Sequence, residues 1–138
     1  MLNKTEDVAT RWRRTAYATL ETAKRLRESE DRRSCVSRAY YAAYQEATFV
    51  CITHGDAVNF PPGWNNPTHE QLPDLIGNNG DLTLSVRRWV RKILRELRAL
   101  RETADYRMGV TVDHGIVITA LLMADSNFER LEIEYDDN

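Results

Sequence analysis

The sequence predicts an all-α protein, an up-and-down bundle of four long helices and one short helix. Apolar residues recur at spacings of three and four along most of the 138 residues, as on one face of a helix. Glycine, proline and asparagine collect between these periodic stretches, where the chain must turn. A β-branched run at 116–119 is followed by alanine, leucine and methionine, which favour a helix. Helices of this number and length are typical of a bundle.

The first two predicted helices are long. The first covers about residues 5–29, and no glycine or proline interrupts it. The second covers about 30–54, and Gly55 is well placed to follow its last turn. Alanines along the second helix allow close packing against its neighbours. The apolar positions of the first helix are Val8, Trp12, Ala16, Leu20, Ala23 and Leu26.

A loop and a short helix come next. The stretch 56–67 is rich in proline, glycine and asparagine, which is typical of a loop. Thr68 and Gln71 have the spacing of a capping box, in which each side chain accepts a hydrogen bond from the backbone of the other. We therefore expect a short helix from Thr68 to about Ile76, ended by the Gly-Asn-Asn-Gly run at 77–80.

The last two helices are long again. Either Asp81 or Thr83 caps a basic helix that runs to about Ala104. The stretch 106–112 is interpreted as a connection, and Asp113 caps the final helix. The apolar positions of that helix are Val117, Leu121, Ala124, Phe128 and Leu131.

Length and composition indicate one globular domain over 1–138. Hydrophobic residues make up 42% and charged residues 29% of the chain, which suits a soluble helical protein. No apolar run approaches the ~20 residues of a membrane span, and residues 2–7 do not resemble a signal peptide, so we expect a cytoplasmic protein without a membrane. Cys35 and Cys51 fall on one predicted helix, about 24 Å apart, too far for a disulfide. Both are expected to be free thiols.

Charge is unevenly distributed along the chain. The formal net charge of −2 argues against a general nucleic-acid coat. The stretch 87–101, however, carries six arginines and one lysine against the single acid Glu96. A basic face of this kind can hold phosphates, although it is more often plain solvated surface.

Arg101 stands apart from that basic face. The residues Val90, Leu94 and Leu97 belong to an apolar stripe of the fourth helix, and helical spacing places Arg101 inside it. A guanidinium cannot be neutralised, so it is buried only where it is paired or faces a wet cleft. Asp105, four residues on, is within reach on the same face, and Tyr106 follows it. Arg101 therefore marks a site, an interface or both.

Four further residues are candidates for a site. His69 can supply an imidazole, although a histidine in the first turn of a helix more often makes local hydrogen bonds. Tyr41 belongs to a polar and aromatic stripe, with Tyr44 beside it, that can stack a base or pack against a partner. Arg38 can contact phosphate or remain solvated surface, and Arg98 belongs to the basic stretch. The three histidines and two cysteines have no zinc-ligand spacing and no glycine-rich phosphate loop occurs, so neither a metal nor a cofactor is expected.

Three segments in this order resemble one known family. They are Ser-Arg-Ala-Tyr-Tyr-Ala-Ala-Tyr at 37–44, Thr-His at 68–69 and Leu-Arg-Glu-Thr-Ala-Asp-Tyr at 100–106. Together they resemble the HEPN domain, the higher eukaryote and prokaryote nucleotide-binding fold, and most of all its small stand-alone bacterial and archaeal branch.

The resemblance implies a helical homodimer in which the Arg101 residues of two copies face each other across a cleft. Many members of the family are metal-independent RNases, or toxins paired with a nucleotidyltransferase-type antitoxin. The RNases carry an arginine, then four to six intervening residues, then a histidine, whereas this sequence has Tyr106 at the fifth position after Arg101, with four residues between them. Arg107 and His114 also have the family spacing, but a predicted loop separates them, so we set that pair aside.

Two functions remain open from the sequence. In the first, the protein is a toxin or defence component that acts on RNA or a nucleotide. Arg101 then stabilises phosphate charge with Asp105 beside it, and Tyr106 or His69 handles protons. Binding would involve Arg38, Tyr41 and Arg98. In the second, the protein is a non-catalytic module that binds a nucleotide or a partner protein, with Arg101 and Asp105 as a structural pair.

Overall fold

The structure, a computed structural model of the chain, describes residues 7–53 and 67–136, with side chains to residue 132. Within these ranges the chain forms α1 (Val8–Glu28), α2 (Arg32–Thr53), α3 (Gln71–Gly77), α4 (Leu84–Tyr106) and α5 (His114–Asp136). No strand occurs in these described ranges. The predicted all-α fold of four long helices and one short helix is confirmed.

Helix α2 lies at the centre of the bundle and contacts the other four helices. Its alanines Ala39, Ala43 and Ala47 are completely inaccessible to solvent. Because their side chains are small, neighbouring helices pack close to the α2 backbone. A helix that is buried on nearly every side shows little amphipathic pattern, as the sequence of α2 does. This central position brings α2 side chains next to both α3 and α4.

The caps of α1 and α5 are formed by aspartates. The backbone N–H of Thr10 donates to Asp7 Oδ1 at 2.7 Å, so α1 begins at Val8, three residues later than predicted. The N–H of Ile116 donates to Asp113 Oδ1 at 2.9 Å, which confirms the predicted cap of α5.

Helix α3 begins at Gln71, three residues after the predicted start at Thr68, although the predicted hydrogen bonds between Thr68 and Gln71 are present. The N–H of Gln71 donates to Thr68 Oγ1 at 3.0 Å, and the N–H of Thr68 donates to Gln71 Oε1 at 3.3 Å, which completes the capping box. For α4 the cap is Thr83 rather than Asp81, because Thr83 Oγ1 accepts from the N–H of Val86 at 3.4 Å.

The end of α4 differs from the prediction. The helix continues to Tyr106, two residues beyond Ala104, so Tyr106 lies on the last helical turn and not in the connection. The reason is Arg33 of α2, whose guanidinium reaches across to this end and donates to backbone carbonyl oxygens. The acceptors are the carbonyls of Thr103 at 3.2 Å, Ala104 at 3.0 Å, Arg107 at 3.3 Å, Met108 at 3.4 Å and Val110.

Other predictions have mixed outcomes. Cys35 and Cys51 are buried free thiols on α2, as expected. Gly55 and nearly all of the predicted loop at 56–67 lie outside the described residues. Among the described helices, none is both long enough and apolar enough to cross a membrane.

Candidate functional site

Arg101 lies on α4 with only 14% of its side chain exposed. Its Nη2 donates to the hydroxyl of Tyr41 at 2.8 Å and to that of Tyr106 at 3.3 Å. Its Nε lies 3.0 Å from Asp105 Oδ2, but the Nε–H does not point at a hydrogen-bond acceptor among the described residues. The attraction to Asp105 is therefore ionic, and the directed hydrogen bonds go to the two tyrosines.

Aromatic rings cover the Arg101 guanidinium. Its Cζ lies 5.3 Å from the ring centroids of both Tyr41 and Tyr106. On the same Tyr41 ring, the Cζ of Arg38 lies 5.9 Å from the centroid. These distances are those of cation–π contacts. We call Arg38, Tyr41, Arg101 and Tyr106 the arginine–tyrosine row.

Asp105 connects α4 to the start of α2. Ser37 Oγ donates to Asp105 Oδ2 at 3.1 Å, and Arg101 Nε contacts the same oxygen. The Asp105 side chain is 27% exposed, so water still reaches the carboxylate. The 37–44 and 100–106 segments, far apart in sequence, therefore meet at this carboxylate.

His69 lies in the turn before α3 and packs among tyrosines. Its Nδ1 is 2.6 Å from the hydroxyl of Tyr40, and its ring centroid lies 4.6 Å from that of Tyr44 and 5.8 Å from that of Tyr41. Burial lowers the pKa of His69, and the nearby positive charge of Arg101 lowers it further. The imidazole is therefore neutral at pH 7.

The tautomer of His69 follows from the burial of Tyr40. The Tyr40 side chain is almost completely buried, and burial raises the pKa of its hydroxyl. The hydroxyl therefore keeps its proton and needs an acceptor, and His69 Nδ1 is the acceptor that the described residues offer. A neutral His69 that accepts at Nδ1 carries its own proton on Nε2. At neutral pH it is a hydrogen-bond donor.

A family model described as HEPN domain matches residues 9–132, nearly the whole chain. The chain belongs to the HEPN domain family. This membership makes it a nucleotide- or RNA-related module. No match is found among the curated proteins.

Most of the predicted site residues of this HEPN domain come together. Arg38, Tyr41, Arg101 and Tyr106 form the arginine–tyrosine row, and Asp105 pairs with Arg101. His69 joins them through its contact with the Tyr41 ring.

Arg98 lies one turn before Arg101 on α4, at the edge of the site. Its Nε is 3.5 Å from Glu102 Oε1, and its positive charge helps to lower the pKa of His69. It lines a depression of about 380 Å³ between α3 and α4, together with Glu70, Pro73, Arg95, Ala99 and Glu102.

The predicted stripe of Tyr41 and Tyr44 is only partly correct. Tyr41 is half-buried and belongs to the row, but Tyr44 is 5% exposed and lies in the core. Its hydroxyl donates to the carbonyl oxygen of Pro67, and its ring meets Trp12 edge to face at 6.3 Å. The helical pattern placed Tyr44 beside the core and not in it. Because α2 is central, α1 and the segment before α3 cover Tyr44.

Sequence reasoning missed Arg33 and the partnership of Tyr40 with His69. Arg33 lies in the first turn of α2, where the positive end of the helix dipole disfavours a cation. An arginine at that position is a sign of a distant acceptor, and here the acceptors are the carbonyls at the end of α4. For Tyr40 the sequence carries no such sign, because a buried tyrosine fits any helical core.

Proposed function

We propose that this HEPN protein binds RNA and holds a phosphate at Arg101. The observation that carries the proposal is the state of the guanidinium. Nη2 donates to Tyr41 and Tyr106, and Nε lies beside the Asp105 carboxylate, whereas Nη1 makes no hydrogen bond to any described residue. A permanently charged group with unused donors matches a phosphate.

The neighbours of Arg101 support a single-stranded ligand. Tyr106 is 68% exposed, and its ring already rests on a guanidinium. Exposed aromatic rings and arginine planes are the surfaces on which unpaired bases stack. His69 adds a neutral hydrogen-bond donor, its Nε2–H, on a ring that contacts Tyr41 of the arginine–tyrosine row.

Binding of fluorescent single-stranded RNA tests the proposal. Arg101→Ala removes the guanidinium and should weaken binding by about tenfold or more, as expected for a charge-assisted hydrogen bond to phosphate. Arg95→Ala is the matched control, since it removes an exposed arginine of the same helix that pairs with Asp74. Equal affinity of the wild type and both variants would refute binding at Arg101.

Metal-independent cleavage of RNA is the second candidate function. It is favoured by the position of the His69 imidazole beside the arginine–tyrosine row. In this function His69 takes the place of the histidine that the family's RNases carry where this chain has Tyr106. In this function Arg101 stabilises the charge that develops on the phosphate, with Asp105 orienting it. His69 serves as a base only if its proton moves from Nε2 to Nδ1, so the ground-state tautomer favours binding over cleavage.

We also propose that the protein acts as a homodimer. Just after the end of α4, the apolar side chains of Met108 and Val110 are both exposed. Covering these side chains with a second copy would bury them and would place two Arg101 sites close together.

A toxin or defence role with a nucleotidyltransferase-type antitoxin is the biological setting we infer. Co-expression with the neighbouring gene product, followed by co-purification, tests that pairing.

A further inference from the structure

A second surface carries the same kind of charge as the site. A shallow groove of about 590 Å³ lies between α1 and α2, lined by Arg14, Thr15, Ala18, Thr19, Thr22 and Arg38. Two arginines and three hydroxyl side chains belong to this lining, and none of the described residues that line it is acidic. Arginine side chains contact the phosphates of nucleic acids, and Arg14 and Arg38 supply that charge here, while the hydroxyls of Thr19 and Thr22 donate to carbonyls of α1.

The groove is continuous with the site through Arg38. This arginine lines the groove and also rests on the ring of Tyr41. The hydroxyl of Tyr41 accepts from Arg101 Nη2 at 2.8 Å. Two direct contacts therefore lead from the guanidinium of Arg101 to the groove.

The opposite side of the site has a different charge pattern. Two acidic side chains, Glu70 and Glu102, line the depression between α3 and α4 together with Arg95 and Arg98. Glu102 lies 3.5 Å from Arg98. Acids in the lining repel a polyanion, so RNA is bound less favourably there than in the groove between α1 and α2.

We infer that single-stranded RNA leaves the Arg101 site over Arg38 and continues along the groove, where Arg14 contacts a further phosphate. This inference rests on the proposed function. The groove lining runs from Arg14 to Thr22 on α1, about 12 Å of helix at ~1.5 Å per residue. That length leaves room for at least one phosphate beyond the one held at Arg101. Arg14 is therefore a contact for a longer strand only.

Two RNA lengths separate the groove from the site. The dinucleotide UpU has one phosphodiester and reports on the Arg101 site, whereas an oligouridine of about twelve nucleotides also fills the groove. Arg14→Ala should lower the affinity for the longer strand by about tenfold and leave the affinity for UpU unchanged. It should also lower the slope of log K against log salt by about 0.7, the value for one phosphate contact on a single strand.

Two variants serve as controls. Arg95→Ala removes an arginine from the depression between α3 and α4 and should leave the affinity of both RNAs unchanged. Arg14→Lys keeps the positive charge and should restore most of the lost affinity for the longer strand. A thermal melt of each variant verifies the fold, and Arg14 is exposed, so its replacement leaves the core intact.

The outcomes distinguish this inference from the proposed function. If UpU and the longer strand bind but Arg14→Ala changes neither, the groove is not the path and only this inference is overturned. This inference is also overturned if Arg95→Ala, and not Arg14→Ala, lowers the affinity for the longer strand. If Arg14→Ala changes the oligomeric state instead, the groove is an interface between copies, and the RNA path is again wrong. If neither RNA binds the wild type, both proposals are overturned.

Discussion

The guanidinium of Arg33 donates to the carbonyl oxygen of Ala104 at 3.0 Å, joining the start of α2 to the last turn of α4. Its other acceptors lie on the same turn and in the segment that follows. The last carbonyls of a helix lack intrahelical partners and carry the negative end of its dipole. Arg33 therefore fixes the turn from which Asp105 and Tyr106 extend.

Replacing Arg33 should destabilise the fold and loosen this turn. We expect Arg33→Ala to lower the free energy of unfolding by about 2–3 kcal/mol, because two half-buried and three exposed carbonyls lose a charged donor. Arg33→Lys should recover only part of the lost stability, since an ammonium lacks the planar fork of a guanidinium. Urea denaturation measures both changes.

Arg32→Ala is the control for Arg33. Arg32 is the exposed neighbour at the same helix start, and its loss should change the stability by less than about 0.5 kcal/mol. Similar losses for Arg32→Ala and Arg33→Ala would contradict the carbonyl contacts as the cause.

The pair of Arg101 and Asp105 should have an intermediate energy. Its side chains are 14% and 27% exposed, so the pair is neither a surface ion pair, at ~0–1 kcal/mol, nor a fully buried one, at ~3–5 kcal/mol. We expect Asp105→Asn to lower the free energy of unfolding by about 1–2 kcal/mol. Arg101→Met should cost less, because Asp105 keeps the hydrogen bond from Ser37 and access to water. A loss above about 3 kcal/mol in both variants would support the structural pair and count against a wet phosphate site.

His69 should make stability depend on pH below neutrality. In the unfolded chain a histidine has a pKa near 6.5, and burial lowers the pKa of His69 in the folded protein. Between those two values the unfolded state binds more protons, so the contribution of His69 is complete above about pH 7 and is lost as the pH falls through about 6.5 to the folded pKa. Melting temperatures from about pH 8 to pH 5 measure this loss.

Two further measurements isolate His69 from other groups. His69→Gln should flatten the pH dependence, and His114→Gln, a replacement at an exposed position at the start of α5, is the matched control. Nitrogen-15 NMR of the imidazole should show a proton on Nε2 in the wild type. A proton on Nδ1 would contradict the donor role assigned to Tyr40 and would favour His69 as a base.

Much of the fold and part of the site could be predicted from the sequence. The helices follow from local periodicity and caps such as Asp113, and the pair of Arg101 with Asp105 follows from a spacing of four on one helix. Contacts between helices could not be predicted this way. The approach of Tyr41 to Arg101 depends on the packing of α2 against α4, and the reach of Arg33 depends on where two helix ends meet.

The replacement of the family histidine by Tyr106 gives the functional prediction. A phenol transfers protons poorly at neutral pH, and His69 presents a proton at Nε2 instead of a lone pair. We therefore expect the wild type to bind single-stranded RNA and to cleave it slowly or not at all. The measurement is cleavage of a fluorescent RNA in the presence of EDTA, because EDTA inactivates contaminating metal-dependent nucleases.

Tyr106→His should raise that cleavage. Position 106 is exposed and lies beside the Arg101 guanidinium, with the tyrosine hydroxyl 3.3 Å from Nη2, so an imidazole there would titrate near neutral pH next to the phosphate site. A general base contributes about 10²–10⁴-fold to such reactions. Adding Arg101→Ala to Tyr106→His should abolish the gain, while Tyr106→Phe should leave the wild-type rate unchanged. If the wild type already cleaves RNA in EDTA and loses this activity in His69→Gln, then His69 is the base and the cleavage function replaces simple binding.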